Sequence, residues 1–347
     1  MRHACLTVLL MLLHVYTGPV VAQTPGDPDP LFATDDILHA RVSGPLQQLI
    51  DEKSKEDYLQ GTFSVVDENG ATLDFDLKFR ARGNFRHENC DYPPIRLNFK
   101  KSQTKGTLFD KQDKLKLVIH CNRRAEYHQI VLQEYLAYRI LNLLTDKSLR
   151  VRLLQIVYTD PAEEFESDPR YAFLIEHKSR AAKRIGIKEF VTTRTQVGLI
   201  DSEQLNLTSV FQFFIGNTDF SPIAGPPGEK CCHNYILFKN ADTKITPIAY
   251  DFDQSGFVDA PYAEANPRFR LRSVKQRRYR GRCLNNEYVE ASIQKLQDNK
   301  DQIYALINDQ VRFEEDIRQQ LLKFVGAFYA LVDDPKRVER TILKKCV

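Results

Sequence analysis

The chain has no tryptophan and only two methionines among 347 residues, so any aromatic core must come from its 21 phenylalanines and 15 tyrosines. Charge excess is also missing. With 49 Lys and Arg against 46 Asp and Glu, a strongly basic nucleic-acid binder is excluded as the default reading. The sequence G-x-x-x-x-G-K-[ST] occurs nowhere, which removes a P-loop, and no G-x-G-x-x-G loop is present either. No C-x-x-C pair marks a zinc site. Internal repeats and low-complexity tracts are absent, and no stretch after residue 22 is apolar for long enough to cross a bilayer.

What is present begins with a processing signal. Arg2 and His3 precede a short apolar run, Leu6 to His14, and Val20-Val21-Ala22 stands before Gln23 like a cleavage site. Residues 1–22 read as a secretory signal, giving an exported protein, periplasmic or secreted, cut near Ala22. Loss of Arg2 leaves 48 basic and 46 acidic residues. Six cysteines remain: Cys90, Cys121, Cys231, Cys232, Cys283 and Cys346. An even number in an exported chain predicts disulfides. Cys90 with Cys121, and Cys231 or Cys232 with Cys283, are the expected pairs, because adjacent cysteines fit bridge geometry poorly. The rival is zinc, held by His87, Cys90, His120, Cys121 and the Cys231-Cys232-His233 run.

The Pro-rich residues 23–34 read as a linker. Pro45 to Lys53 predicts a short helix. Gly61 to Asp67 and Thr72 to Arg82 alternate like strands joined by an Asn69-Gly70 turn. Ile95 to Phe99 and Lys114 to His120 alternate again. Glu126 to Leu144 predicts a strong helix, followed by strands over Arg150 to Tyr158 and Tyr171 to Glu176. Lys178 to Gly186 reads as a basic hinge. Asp201 with Gln204 predicts a capped helix ending at Phe214, and amphipathic helices fill Glu287 to Val347.

One stretch, Phe211 to Gly256, carries the chemistry. A lone Asp219 follows a helix, Asn234 precedes a short strand, and Asp251 and Asp253 follow the next strand. Kinase-type phosphotransferases present a base, a metal-binding amide and a metal-binding carboxylate in this order. Carboxylate and carboxamide oxygens are the hard ligands that Mg²⁺ or Mn²⁺ requires. A carboxylate at a rigid helix end is suited to orienting and deprotonating a hydroxyl. The expected roles are Asp219 as base and Asn234, Asp251 and Asp253 as metal ligands. Arg82, Arg96 and Lys116 are cations that a sheet could turn toward phosphates, and Glu134 is a candidate partner for Lys116. Glu176 ends a strand whose main chain could meet an adenine ring. Between Asn266 and Cys283 lie eight Arg or Lys residues and no acid; Arg277, Arg278 and Arg280 are the candidate contacts to an acidic or phosphorylated acceptor.

Gly216-Asn217-Thr218-Asp219, His233-Asn234 and Pro247 to Asp251 resemble the catalytic core of HipA-type kinases. Tyr250 to Gly256, with the Arg82-Gly83-Asn84 element and the basic strand Ile95 to Phe99, resembles the spore-coat CotH kinase-like family more closely. The resemblance covers roughly Thr72 to Gly256. It departs in one respect: Asp219 and Asn234 stand fifteen positions apart, where the kinase pattern has five. The family implies an α+β, two-lobed protein-kinase-like fold, with an antiparallel-sheet small lobe over residues 35–178 and a mostly helical catalytic lobe over 179–347. It implies ATP as donor, Mg²⁺ or Mn²⁺ as cofactor, and transfer of the γ-phosphoryl group to a protein Ser or Thr hydroxyl.

Three rivals stand beside that reading. Asp251, Asp253, Ser255 and Gly256 fit the start of a calcium loop, but Tyr262 falls where Glu is required. A haloacid-dehalogenase-type phosphatase shares the DxD pattern but needs an alternating βα region, where mostly helix follows. A kinase-like binding module without catalysis would use the basic 268–282 patch to hold a partner.

Overall fold

The computed structural model describes residues 26–66, 70–239 and 244–347. The Asn69-Gly70 turn and the secretory signal fall wholly or partly outside these residues.

Eight strands form the first sheet: β1 (Leu38–Ser43), β2 (Leu59–Val66), β3 (Thr72–Ala81), β4 (Ile95–Phe99), β5 (Lys114–Val118), β6 (Val151–Asp160), β7 (Phe165–Glu166) and β8 (Arg170–Ile175). Their order is β1-β2-β3-β4-β5-β8-β6-β7, and β1 also pairs with β6. That last pairing is parallel and runs from Leu38 opposite Leu154 to Ser43 opposite Thr159. It closes seven strands into a barrel, with β7 as a short flap on β6.

The expected two-lobed kinase fold with an open antiparallel small-lobe sheet is therefore corrected. The element that changes it is β1. Leu38, Ala40 and Val42 alternate inward, and this strand occupies both edges that an open sheet would leave exposed. Closure satisfies those edge hydrogen bonds. The interior then packs as one cluster, with Phe63, Phe75, Phe99 and Phe109 meeting at ring centroids 5.2–5.9 Å apart.

The helices are α1 (Leu46–Glu52), α2 (Phe85–Asn89), α3 (Lys101–Thr104), α4 (Glu126–Leu144), α5 (Lys178–Arg184), α6 (Ser202–Phe214), α7 (Val289–Asp298), α8 (Lys300–Asn308), α9 (Glu315–Val332) and α10 (Pro335–Thr341). A second, three-stranded sheet orders β11 (Ile245–Ala249), β10 (Tyr235–Lys239) and β9 (Lys188–Glu189). Asp201 caps α6 by accepting from the Gln204 N–H at 3.1 Å, as its sequence predicts.

The outward residues Val118, Val151, Leu153, Phe173 and Ile175 of the barrel share one core with α4, α6 and the C-terminal helices. Apolar packing thus runs without a break across the expected boundary at 178. This continuity fixes the barrel wall against the segment from α6 to Gly256.

Candidate phosphate and metal cleft

The cleft is built where three chain segments meet. Helix α6 stops at Phe214, and Gly216 turns the chain with φ +68°, a conformation that disfavours a side chain. Asn217 Oδ1 then accepts from the Asp219 N–H at 2.8 Å and sets the turn that carries Asp219. The Asp251 loop is tied to it, since Gly256 N–H donates to Gly216 O (3.3 Å) and Phe257 N–H to Ile215 O (2.9 Å). The β10–β11 hairpin completes the set: Tyr235 pairs with Ala249, and the Tyr250 N–H donates to Asn234 O at 3.1 Å. Asn234 and Asp251 therefore leave the same end of the hairpin. Both have left-handed backbone, φ 55° and 64°, which Asn and Asp tolerate better than most residues.

Asp219 is held from two sides. His233 Nε2 lies 2.7 Å from its Oδ1, and Asn234 Nδ2 donates to its Oδ2 at 3.0 Å and to its main-chain oxygen at 2.7 Å. The hydrogen bond to Asp219 raises the His233 pKa above its ordinary value, against the opposing effect of burial. The fifteen-position gap between Asp219 and Asn234 closes because Ser221 and His233 pair across the intervening loop. Among the described residues, neither the Asn234 Oδ1 nor the Asp251 carboxylate has a hydrogen bond to protein. The Asp251 main chain is anchored by its N–H donating to Tyr138 Oη at 2.8 Å.

Lys116 and Arg82 feel the Asp251 charge, and they belong to a row of cations on the outer face of the barrel. Arg80 faces Arg96 across β3–β4, and Arg96 faces Lys116 across β4–β5. Burial, then the nearby Arg82 guanidinium, drives the Lys116 pKa down to about 7 even though Asp251 pulls it upward. Burial also lowers Arg82 and Arg96, against the upward pull of Asp251 on the first and Tyr58 on the second, with cationic neighbours adding a smaller decrease. The Lys116 ammonium rests 4.5 Å from the Tyr250 ring centroid. It does not pair with Glu134, whose partner is Arg86 (Nη1–Oε2 3.6 Å).

Behind Asp251 lies a buried carboxyl pair. Burial and the negative charge of Asp251 push Asp253 up to about 7, and burial and Asp253 raise Glu134. Tyr262 Oη donates to Asp253 Oδ2 at 3.1 Å. Asp253 is thus 5% exposed and faces Arg86 and Tyr262, while Asp251 remains the carboxylate with free oxygens.

Other expected residues are used differently. Glu176 receives both Nε (3.0 Å) and Nη2 (2.9 Å) of Arg184 in the protein interior, because α5 folds back directly beneath the strand end. Arg277 donates to the carbonyls of Phe214 and Phe324, and Arg280 to those of Thr218 and Phe220 at 2.6 Å each. These two guanidinia brace the turn on either side of Asp219. Arg278 has its Nε buried and unpartnered. The cations that stay exposed in this segment are Arg268, Arg270, Arg272 and Lys275.

A cavity of about 420 Å³ is lined by Arg96, Lys116, Tyr250, Phe190 and residues 175–178; Tyr250 and Lys116 join it to the Asp251 loop, while Asp219, Asn234 and Asp251 themselves lie outside its lining. Cys90 and Cys121 lie at disulfide-forming distance, as expected. Cys283 instead meets Cys346, because the chain end folds back and the Cys283 N–H donates to Val347 O at 3.4 Å. Cys231 and Cys232 meet each other beside the cavity, which corrects both expectations for them.

Sequence reasoning missed His233 as the partner of Asp219, Arg86 as the partner of Glu134, and Tyr138 beneath Asp251. His233 had a signal, since it directly precedes Asn234 on the same strand entry. Among the described residues no group of three or more His, Cys, Asp or Glu is gathered as a metal site, and no helix is long and apolar enough to cross a membrane. No family model matches the chain, and no curated protein matches it.

Proposed function

We propose that this cleft transfers a phosphoryl group from a nucleoside triphosphate, ATP, to a hydroxyl on a protein acceptor, in the manner of the CotH-like enzymes that its motifs resemble. One observation carries the reading: among the described residues the Asp251 carboxylate and the Asn234 Oδ1 accept no protein hydrogen bond, and Lys116 and Arg82 lie close enough to feel the Asp251 charge. The charges are arranged for an anion accompanied by a divalent ion.

Asp251 and Asn234 Oδ1 are the residues that would hold Mg²⁺ or Mn²⁺. Mg²⁺ is commonly held by one or two carboxylates together with substrate phosphates and water, so a third acidic ligand is not required. When bound, the ion would neutralise charge on the phosphate oxygens. Lys116, Arg82 and Arg96 supply positive charge from the barrel's outer face. The cavity of about 420 Å³ is within the range of small-molecule sites. Asp219 orients the acceptor hydroxyl and accepts its proton; His233 and Asn234 fix the carboxylate while it does so. Arg268, Arg270 and Arg272 favour an acidic acceptor. The same reading places the protein outside the cytosol, supported by the apolar run Leu6 to His14 and by three cysteine pairs at bonding distance.

The test is phosphate transfer by purified protein with ATP and Mg²⁺ or Mn²⁺, alongside its nucleotide-induced thermal shift. Asp219→Asn should keep the shift and lose transfer by about a hundredfold or more. Asp251→Asn should lose both. A shift without transfer identifies a nucleotide-binding module without catalysis. Absence of both ends the proposal.

A further inference from the structure

The paired Cys231 and Cys232 are both half-buried and line the cavity of about 420 Å³, so a small molecule that enters it can reach them. They pack with Phe190 and Ile223 against the small core of Ile200, Leu237 and Ile245.

The pair sits at a mechanical junction. The Cys231 N–H donates to Thr192 O at 3.0 Å, which ties it to the segment that brings Phe190 and Val191 to the cavity. On its other side, His233 exchanges main-chain hydrogen bonds with Ser221 (2.9 and 3.1 Å), and His233 Nε2 meets Asp219 Oδ1. Asn234 follows and donates to the same carboxylate. Residues 231–234 therefore carry the chain directly from the cavity wall to the groups that fix Asp219.

The three cysteine pairs differ in what keeps them closed. Cys90 and Cys121 are 3% and 4% exposed, which shields them from a reductant in the folded protein. Cys283 is exposed, but its bond to Cys346 closes a separation of 63 residues. A long closed loop and the fold stabilise each other, so native packing favours that bond. Cys231 and Cys232, with a separation of 1, close almost no chain and have the least of this support. Lys230, Lys116 and Arg96 also line the cavity, whereas its two acids are engaged, Glu176 by Arg184 and Glu189 by Lys178. Nearby cations favour thiolate over thiol, and a more acidic leaving thiol departs faster.

We propose that Cys231–Cys232 is a thiol-exchange site that a dithiol reductant opens through the cavity, releasing both the Phe190 wall and the turn that fixes Asp219. A thiolate of the reductant attacks one sulfur and the other leaves as thiolate; the second thiol of the reductant then displaces the mixed disulfide. The reductant ends as a disulfide, and two electrons and two protons pass to Cys231 and Cys232, which end as thiols. No ligand in the cavity is needed, so the inference stands or falls apart from the phosphotransfer reading.

The folded full protein, treated with graded dithiothreitol, alkylated and mapped by mass spectrometry, tests the exchange; amide hydrogen exchange before and after reduction tests the release. Cys231 and Cys232 should be alkylated about tenfold faster or more than the other paired cysteines. Once they are open, amides across 190–194 and 219–234 should exchange about tenfold faster, while those of β3 and β4 stay unchanged. Cys231→Ala with Cys232→Ala should show the fast exchange without reductant; should that variant not fold, the reduced wild type decides. Opening of Cys283–Cys346 first or at the same rate, or unchanged exchange over 219–234 once Cys231 and Cys232 are open, overturns the proposal.

Discussion

Replacing Arg184 with methionine should destabilise the protein far more than its place at the end of the short helix α5 suggests. Arg184 and Glu176 have side chains only 3% and 1% exposed. Their fork is bidentate, and Arg184 also donates to Asp146 O (2.9 Å) and Ser148 O (2.6 Å). Methionine keeps most of the stem volume but strands a carboxylate whose remaining donor is the Arg150 N–H at 3.0 Å. Breaking a buried pair from one side costs about 3–5 kcal/mol, a third or more of the stability of many domains, about 5–15 kcal/mol. Taking a urea slope of about 3 kcal/mol/M, the midpoint should fall by about 1–1.7 M. Arg184→Met with Glu176→Leu removes both charges and should recover about 2 kcal/mol or more, since well-packed apolar replacements of buried pairs are often neutral. Urea unfolding followed by circular dichroism measures all three proteins. A loss below about 1 kcal/mol in the single variant, or a double variant no better than the single, refutes the reasoning. The folded Glu176→Gln protein should still show the ATP-induced thermal shift, because this carboxylate is committed to Arg184 and not to a ligand.

Other outcomes follow from the same geometry. The His233 pKa is raised by Asp219, so its contribution is complete below pH 6.5 and lost as pH rises through the folded-state value; the stability difference between wild type and His233→Asn should shrink from pH 6 to 8. Lys116 is lowered from 10.5 to about 7, so the unfolded chain holds the extra proton between those values and stability should rise with pH there. Lys116→Met should remove that rise, and pyrophosphate should move the Lys116 titration, followed by NMR, back upward. Gly256→Ala would place a Cβ 2.5 Å from Val274 O and 2.8 Å from Lys275 Cα; both neighbours are backbone, and thermal unfolding should show a cost of about 1–3 kcal/mol. Reducing the Cys90–Cys121 pair, which closes a separation of 31 residues, should cost about 2–5 kcal/mol by denaturant titration.

Much of the barrel wall was legible. Phe75, Leu77 and Phe79 alternate in β3, and Ile95, Leu97 and Phe99 in β4, and these residues point inward as the period of two requires. The same alternation put Arg80, Arg96 and Lys116 on the other face, where the register aligns them. Barrel closure was not legible. Leu38 to Ser43 is short, and nothing local says that it will pair with a strand more than a hundred residues later as well as with its neighbour. Ion-pair partners were hidden for a related reason. Glu134 was matched with Lys116, but which cation it meets depends on where α2 brings Arg86, not on any spacing in the chain.

By itself, the sequence determined the local elements: the strand alternation, the capped α6, and the turn-forming residues that frame Asp219, Asn234 and Asp251. Those follow from short-range sterics and hydrogen bonding, which neighbouring residues specify. Tertiary structure decided that the strands close into a ring, that Arg277 and Arg280 brace backbone carbonyls, and that Cys283 meets Cys346. Each of these is a choice among chemically equivalent partners, and only the packing of distant segments resolves it.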